Sequence, residues 1–150
     1  MLIGENRELF EKFIVRLVTR GRKFYLGRGP LSMTVLIRKN YLIIEKHDFM
    51  AFAPESFAPN ELWDCAEHIE VTYEKQVYPR FIRFLETITD LQVVASCATM
   101  IKPTSTRANI LIADKPWEEA KLQVDLDSLD IDQVAELVFL GKQTDYAQRR

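Results

Sequence analysis

The sequence predicts an α+β fold of order α-β-β-α-β-β: a four-stranded antiparallel sheet with an N-terminal helix and a long kinked helix packed on one face, plus a short C-terminal strand and helix. Three observations predict it. Apolar residues recur at three- and four-residue steps over 5–25 and again from Leu62 to Ile88, which is the helical period. After each of these stretches come two runs rich in alternating or β-branched residues, 32–45 and 91–112, each broken by a short turn. Consecutive strands joined by short turns pair antiparallel, and helices of such chains gather on one face of the sheet.

Each element has its own signals. Phe10, Phe13, Ile14, Leu17, Val18 and Gly21 form one stripe of the first helix, with Lys12, Arg16, Arg20 and Lys23 on the other side. Gly27 suits a left-handed C-cap, and Pro30 prevents continuation. Ser32–Arg38 alternates in the strand period, Lys39-Asn40 provides a tight turn, and Tyr41–Glu45 returns. His47 to Pro59 reads as an irregular connection. Asn60 is the expected N-cap of the long helix, with Glu61 and Asp64 in its first turn. Leu62, Ala66, Ile69, Tyr73, Val77, Phe81, Phe84 and Ile88 keep phase through Pro79, so one helix to about Thr89, kinked at the proline, is predicted rather than two. Leu91–Ile101 and Arg107–Ile112 form the second hairpin around Lys102–Thr106. Beyond Asp114, Leu122, Val124 and Leu126 alternate with polar residues as in a short strand. Asp130 and Gln133 have capping-box spacing before a short helix that stops near Gly141, and Gln143 to Arg150 reads as a frayed end.

The domain division follows charge. Residues 1–60 carry ten Lys/Arg against six Asp/Glu, residues 61–113 five against seven, and residues 114–150 five against nine. We read 1–113 as a single α+β domain and 114–150 as an acidic extension with a short helix near 131–140. At 150 residues, folding buries roughly 70% of the surface of the unfolded chain, so no disulfide or metal staple is required. Cys65 and Cys97 belong to no CxxC pair and read as reduced thiols, and His47 and His68 lack ligand-spaced partners. Hydrophobic runs fall short of the ~20 residues that span a bilayer, and MLIGENRELF lacks signal-peptide character. A cytoplasmic protein without transmembrane segment, metal or cofactor is expected.

Candidate sites are few. Gly27-Arg28-Gly29-Pro30 follows a helix and precedes a strand, the wrong dipole end for a phosphate cradle, and neither Walker nor GxGxxG spacing is present. It reads as a helix stop and a corner, with Arg28 as a contact for an anion or a partner. Arg16, Arg20, Arg22 and Lys23 beside Phe24 and Tyr25 make the one basic-aromatic patch, a candidate partner surface. Glu67, Glu70 and Glu74 lack the paired ExxH arrangement of di-metal bundles and read as a solvated acidic face. No GxSxG elbow is present, and no enzyme activity is expected. A second apolar row on the long helix, Val71, Tyr78, Ile82 and Leu85, is broader than its own sheet should cover and is the candidate dimer interface.

One family carries a similar order of features. After its first helix it has a glycine-x-glycine-proline step, matched by Gly27, Arg28, Gly29 and Pro30, then a β-hairpin and a long helix. That helix ends in a junction matched by Ile88, Thr89, Asp90, Val93 and Val94. Over about 8–113 the chain resembles the small MpsC-like proteins, regarded as the C component of a sodium-translocating, membrane-potential-generating system. It departs from them at AFAPESFAPNE and in the acidic tail 114–150. The resemblance implies an accessory protein beside membrane components of ion or inorganic-carbon transport, and supplies no catalytic residue. The function expected is therefore a non-catalytic accessory or regulatory protein, homodimeric, acting through protein contacts. The alternative is a nucleic-acid-binding module using the basic face of the first helix.

Overall fold

A computed structural model of the chain describes residues 1–27, 32–47 and 59–142. The corner at Arg28, Gly29 and Pro30, the connection over 48–58 and the end from Gln143 lie outside the described residues. After a 3-10 turn at Ile3–Asn6, the elements are α1 (Arg7–Leu26), β1 (Ser32–Arg38), β2 (Tyr41–His47), α2 (Pro59–Ile88), β3 (Val93–Ile101), β4 (Thr106–Ala113) and α3 (Ile131–Leu140). This is the predicted α+β order, with all four strands antiparallel in one sheet of order β1-β2-β4-β3. β3 is therefore one edge of the sheet and β1 the other.

The local signals act as their chemistry requires. Asn6 accepts from the Leu9 backbone N–H and starts α1. Gly27, at φ +80°, ends it by donating its N–H to the Lys23 carbonyl. Asp130 accepts from the backbone of Asp132 and Gln133 to start α3, and Gly141, at φ +69°, closes it. Predicted boundaries shift at α2. Pro59 opens the helix, where its missing N–H costs nothing, so Asn60 lies inside rather than at the cap. The helix then runs unbroken through Pro79, whose ring faces outward at an exposed position.

Register lays three rows of side chains across the inner face of the sheet. Ile37, Leu42, Leu111 and Ser96 form the first row, and Val35, Ile44, Asn109 and Ala98 the second. Met33, Lys46, Arg107 and Met100 form the third. Apolar at one end and charged at the other, this face packs against α1 and α2 through Phe13, Leu17, Val77, Phe81 and Leu85, all in one buried cluster.

The segment after residue 113 belongs to that same cluster, so the packing has no break where the change in charge suggested one. Trp117, Leu126, Val134, Ala135, Val138 and Phe139 are all buried in it. Trp117 donates from Nε1 to the Asn40 carbonyl at 2.9 Å, and Ile3 and Leu122 donate their backbone N–H groups to the carbonyls of Ala120 and Met1, each at 2.8 Å. Among the described residues, the acidic side chains that signalled a separate extension stand between these buried positions, exposed at Asp114, Glu118, Glu119, Asp125, Asp127, Asp130 and Asp132 and half-buried at Glu136. The strand expected over Leu122–Leu126 is reduced to isolated bridges, Leu2 to Lys121 and Thr89 to Leu122, followed by a 3-10 turn at Leu126–Ser128. α3 lies on α1 at Gly21, where an added methyl group would stand 2.1 Å from the Phe139 ring. Arg80 of α2 holds the carbonyl end of α3, donating to Val138 at 2.6 Å and Phe139 at 3.1 Å, where a cation also suits the helix dipole.

Candidate functional site: an ion cluster beside an open groove

Three periodicities converge at the charged end of the sheet. Arg22 sits four residues after Val18 on the buried stripe of α1. Lys46 follows Leu42 and Ile44 in the two-residue period of β2, and Arg107 and Asn109 precede Leu111 in that of β4. Glu70, Tyr73, Glu74 and Val77 share a face of α2. The result is a continuous buried network. Arg22 forks onto Glu70, Nη2 to Oε1 at 2.5 Å and Nη1 to Oε2 at 3.1 Å, and Lys46 Nζ meets the same Oε2 at 3.2 Å. Lys46 also lies 3.7 Å from Glu74. Arg107 binds Glu74 through Nε at 2.9 Å and Nη2 at 2.7 Å, and Asn109 Nδ2 adds a third contact at 2.9 Å. Tyr73 stands at the centre, its ring 5.0 Å from the Arg22 guanidinium and 5.5 Å from Lys46 Nζ, within cation–π range.

Arg22, Lys46 and Glu70 are wholly buried. Water cannot screen them, so their proton affinities follow from what surrounds each one. Burial opposes the charge of Glu70, yet the Lys46 charge and the Arg22 hydrogen bond prevail and hold the carboxyl down to about 2. Burial likewise opposes charge on Arg22, but Glu70 raises it above its ordinary value. Lys46 comes out the other way. Burial, with help from nearby Arg22, outweighs Glu70 and Glu74 and lowers the ammonium to about 8. Three cations share two carboxylates, and Lys46 yields because a primary amine can release its proton whereas a guanidinium cannot. Burial also raises the phenols of Tyr73 and Tyr78.

These positions revise the expected sites. Arg22 is no surface contact: it is consumed by Glu70 inside the core, because its place on α1 continues the buried stripe. Of its neighbours, Arg20 pairs with Asp132 of α3 at 3.0 Å, while Arg16 and Lys23 are exposed. The acidic face of α2 is not uniformly solvated either. Glu67 is exposed, but Glu70 is buried and Glu74 keeps only 13% of its side-chain exposure. The signal for the cluster was present in the sequence as charged residues in phase with core positions, on both strands and both helices.

The expected dimer row is split as well. Leu85 and Tyr78 are buried in the chain's own core, whereas Val71 and Ile82 are half-buried. Leu85 is thereby removed from the surface. Val71, Tyr78 and Ile82 line one wall of a groove of about 500 Å³, with Glu74, Lys75 and Pro79, and β3 forms the opposite wall through Ser96 and Ala98. The groove exists because the sheet runs one strand past its helices: Ser96 and Ala98 point to the inner face yet remain exposed. The ion cluster is its floor, reached through Glu74 and Asn109. Lys46 and Glu70 have no access to it, so the cluster anchors Glu74 rather than offering a reactive group.

Among the described residues, no helix is long and apolar enough to cross a membrane. No protein-family model, curated protein or solved structure matches the chain.

Proposed function

We propose that this chain is a non-catalytic accessory or regulatory protein that acts through protein contacts as a homodimer, with the α2–β3 flank as its working surface. The observation that carries the reading is the inner face of β3, left uncovered by the described residues, beside the half-buried Val71 and Ile82 of α2. An open, largely apolar groove bounded by an edge strand is the form that strand and helix recognition between proteins takes. The buried cluster supports it by stiffening the wall: Glu74 is held by Arg107 and Asn109 and cannot swing out to fill the groove. On the resemblance to MpsC-like proteins, the assembly would stand beside membrane components of ion or inorganic-carbon transport. The basic face of α1 supports the nucleic-acid reading less, because Arg22 is buried and Arg20 already paired. Light scattering at low micromolar concentration tests the central claim. The expected mass is about twice the 17.5 kDa of one chain, and a monomer removes the reading.

A further inference from the structure

Resting on that homodimer reading, we infer that the second copy joins along the free edge of β3, antiparallel about a twofold axis at Cys97, so that two four-stranded sheets become one sheet of eight. β3 is nine residues long, VVASCATMI, and carries neither charge nor proline. Edge strands that stay single are normally guarded by charge, proline, shortness or a cover, since a row of free N–H and C=O groups is a template for another strand. The other edge of this sheet obeys the rule. β1 ends in Arg38, and Glu8, Glu11, Lys12 and Arg16 of α1 line the cleft beside Met33, Thr34 and Val35. Among the described residues β3 has no charge, proline or cover, its register shift falls at the very start between Val93 and Ala95, and every residue from Val94 to Thr99 is exposed.

The strand is also complementary to itself. Cys97 is the midpoint of Val93–Ile101, so full overlap of two antiparallel copies sets Cys97 opposite Cys97. Ser96 then faces Ala98 on the inner side, and Ala95 faces Thr99 on the outer side. All are small, so the backbones can approach without collision, and no like charges meet. Two of the large exposed apolar side chains, Val94 at 62% and Ile101 at 45%, lie at opposite ends of β3. An antiparallel twofold brings the Val94 end of one copy to the Ile101 end of the other and covers both. The α2–β3 grooves then open toward each other across the axis, which makes Val71 and Ile82 the flanks of one interface.

The test uses the full chain carrying Cys65→Ser, so that Cys97 is the single thiol. An azo oxidant takes up two electrons and two protons as two Cys97 thiols form one S–S bond. The expected result is conversion to a disulfide-linked pair in a yield unchanged on tenfold dilution, as long as the doubled mass persists. Cys97→Lys, which places two ammonium groups face to face at an exposed position, is expected to give a monomer with unaltered far-ultraviolet circular dichroism, whose thermal unfolding no longer depends on protein concentration. Ser32→Lys on the β1 edge should leave the mass doubled. A dimer in which Cys97 does not cross-link, or which survives Cys97→Lys, overturns the β3 pairing and leaves the homodimer reading standing. A monomer before any substitution at Cys97 removes both.

Discussion

Replacing Glu70 with glutamine removes one negative charge from the centre of the molecule while keeping its shape. Arg22 at 2.5 Å and Lys46 at 3.2 Å both depend on that carboxylate, and neither can reach water. After the change, three cations would share Glu74 alone. The cost can be reached by two routes. The carboxyl is held from 4.5 down to about 2, and at about 1.4 kcal/mol per pH unit that preference comes to about 3 kcal/mol. Breaking a buried ion pair by removing one partner costs about 3–5 kcal/mol, because the other charge is left without compensation. Against a domain stability of about 5–15 kcal/mol, such a loss is large. Urea unfolding followed by far-ultraviolet circular dichroism at pH 7 measures it, with the exposed Glu67→Gln as control, expected within about 0.5 kcal/mol of the parent. Adding Lys46→Met to Glu70→Gln should recover part of the loss, since it withdraws one of the stranded cations. A Glu70→Gln chain within about 1 kcal/mol of the parent would refute the claim that these charges hold one another.

The same groups set a pH dependence on each side of neutrality. Glu70 has its carboxyl depressed by folding, so its stabilisation is complete above 4.5 and is lost as pH falls from there to about 2. Lys46 is lowered from 10.5 to about 8, so between those values the unfolded chain holds a proton that the folded chain has released. Its contribution therefore makes stability rise with pH across that window, until ionisation of Tyr73 and Tyr78 in the unfolded chain reverses it above about pH 10. Urea midpoints across this range measure both limbs: Lys46→Met should abolish the alkaline rise and also shrink the acid limb, because the Lys46 charge is the leading influence that depresses Glu70. Gly21→Ala drives a methyl group into the Phe139 ring at the α1–α3 contact and should cost about 1–3 kcal/mol or more. In a Phe139→Ala background the same change should cost far less, and additive costs in the double variant would contradict the packing described.

Legibility in the sequence followed the range of the interactions. Local chemistry was plain: Gly27 and Gly141 stop their helices, Asp130 starts α3, and the stripe from Ala66 to Ile88 runs through Pro79 without losing phase. The two hairpins, the antiparallel sheet and the single long helix followed from such signals. The site was half visible. Val71 and Ile82 stand on the groove as their period required, yet Leu85, in the same row, is buried. One helix face cannot reveal how far round it the neighbouring elements reach.

By itself, the sequence determined the three α-helices, the four strands of the sheet and the main apolar stripe of each helix, because dihedral preference, capping and amphipathic period act within a few residues. Only the tertiary structure decided that Arg22, Lys46, Glu70, Glu74 and Arg107 meet, that Trp117 and Phe139 complete the core, and that β3 is left at an edge. A charge is tolerable in the interior only beside its opposite, and here the opposites lie 24, 33 and 48 positions apart along the chain. Their pairing is a property of the assembled layers, and so is the open strand that those layers do not cover.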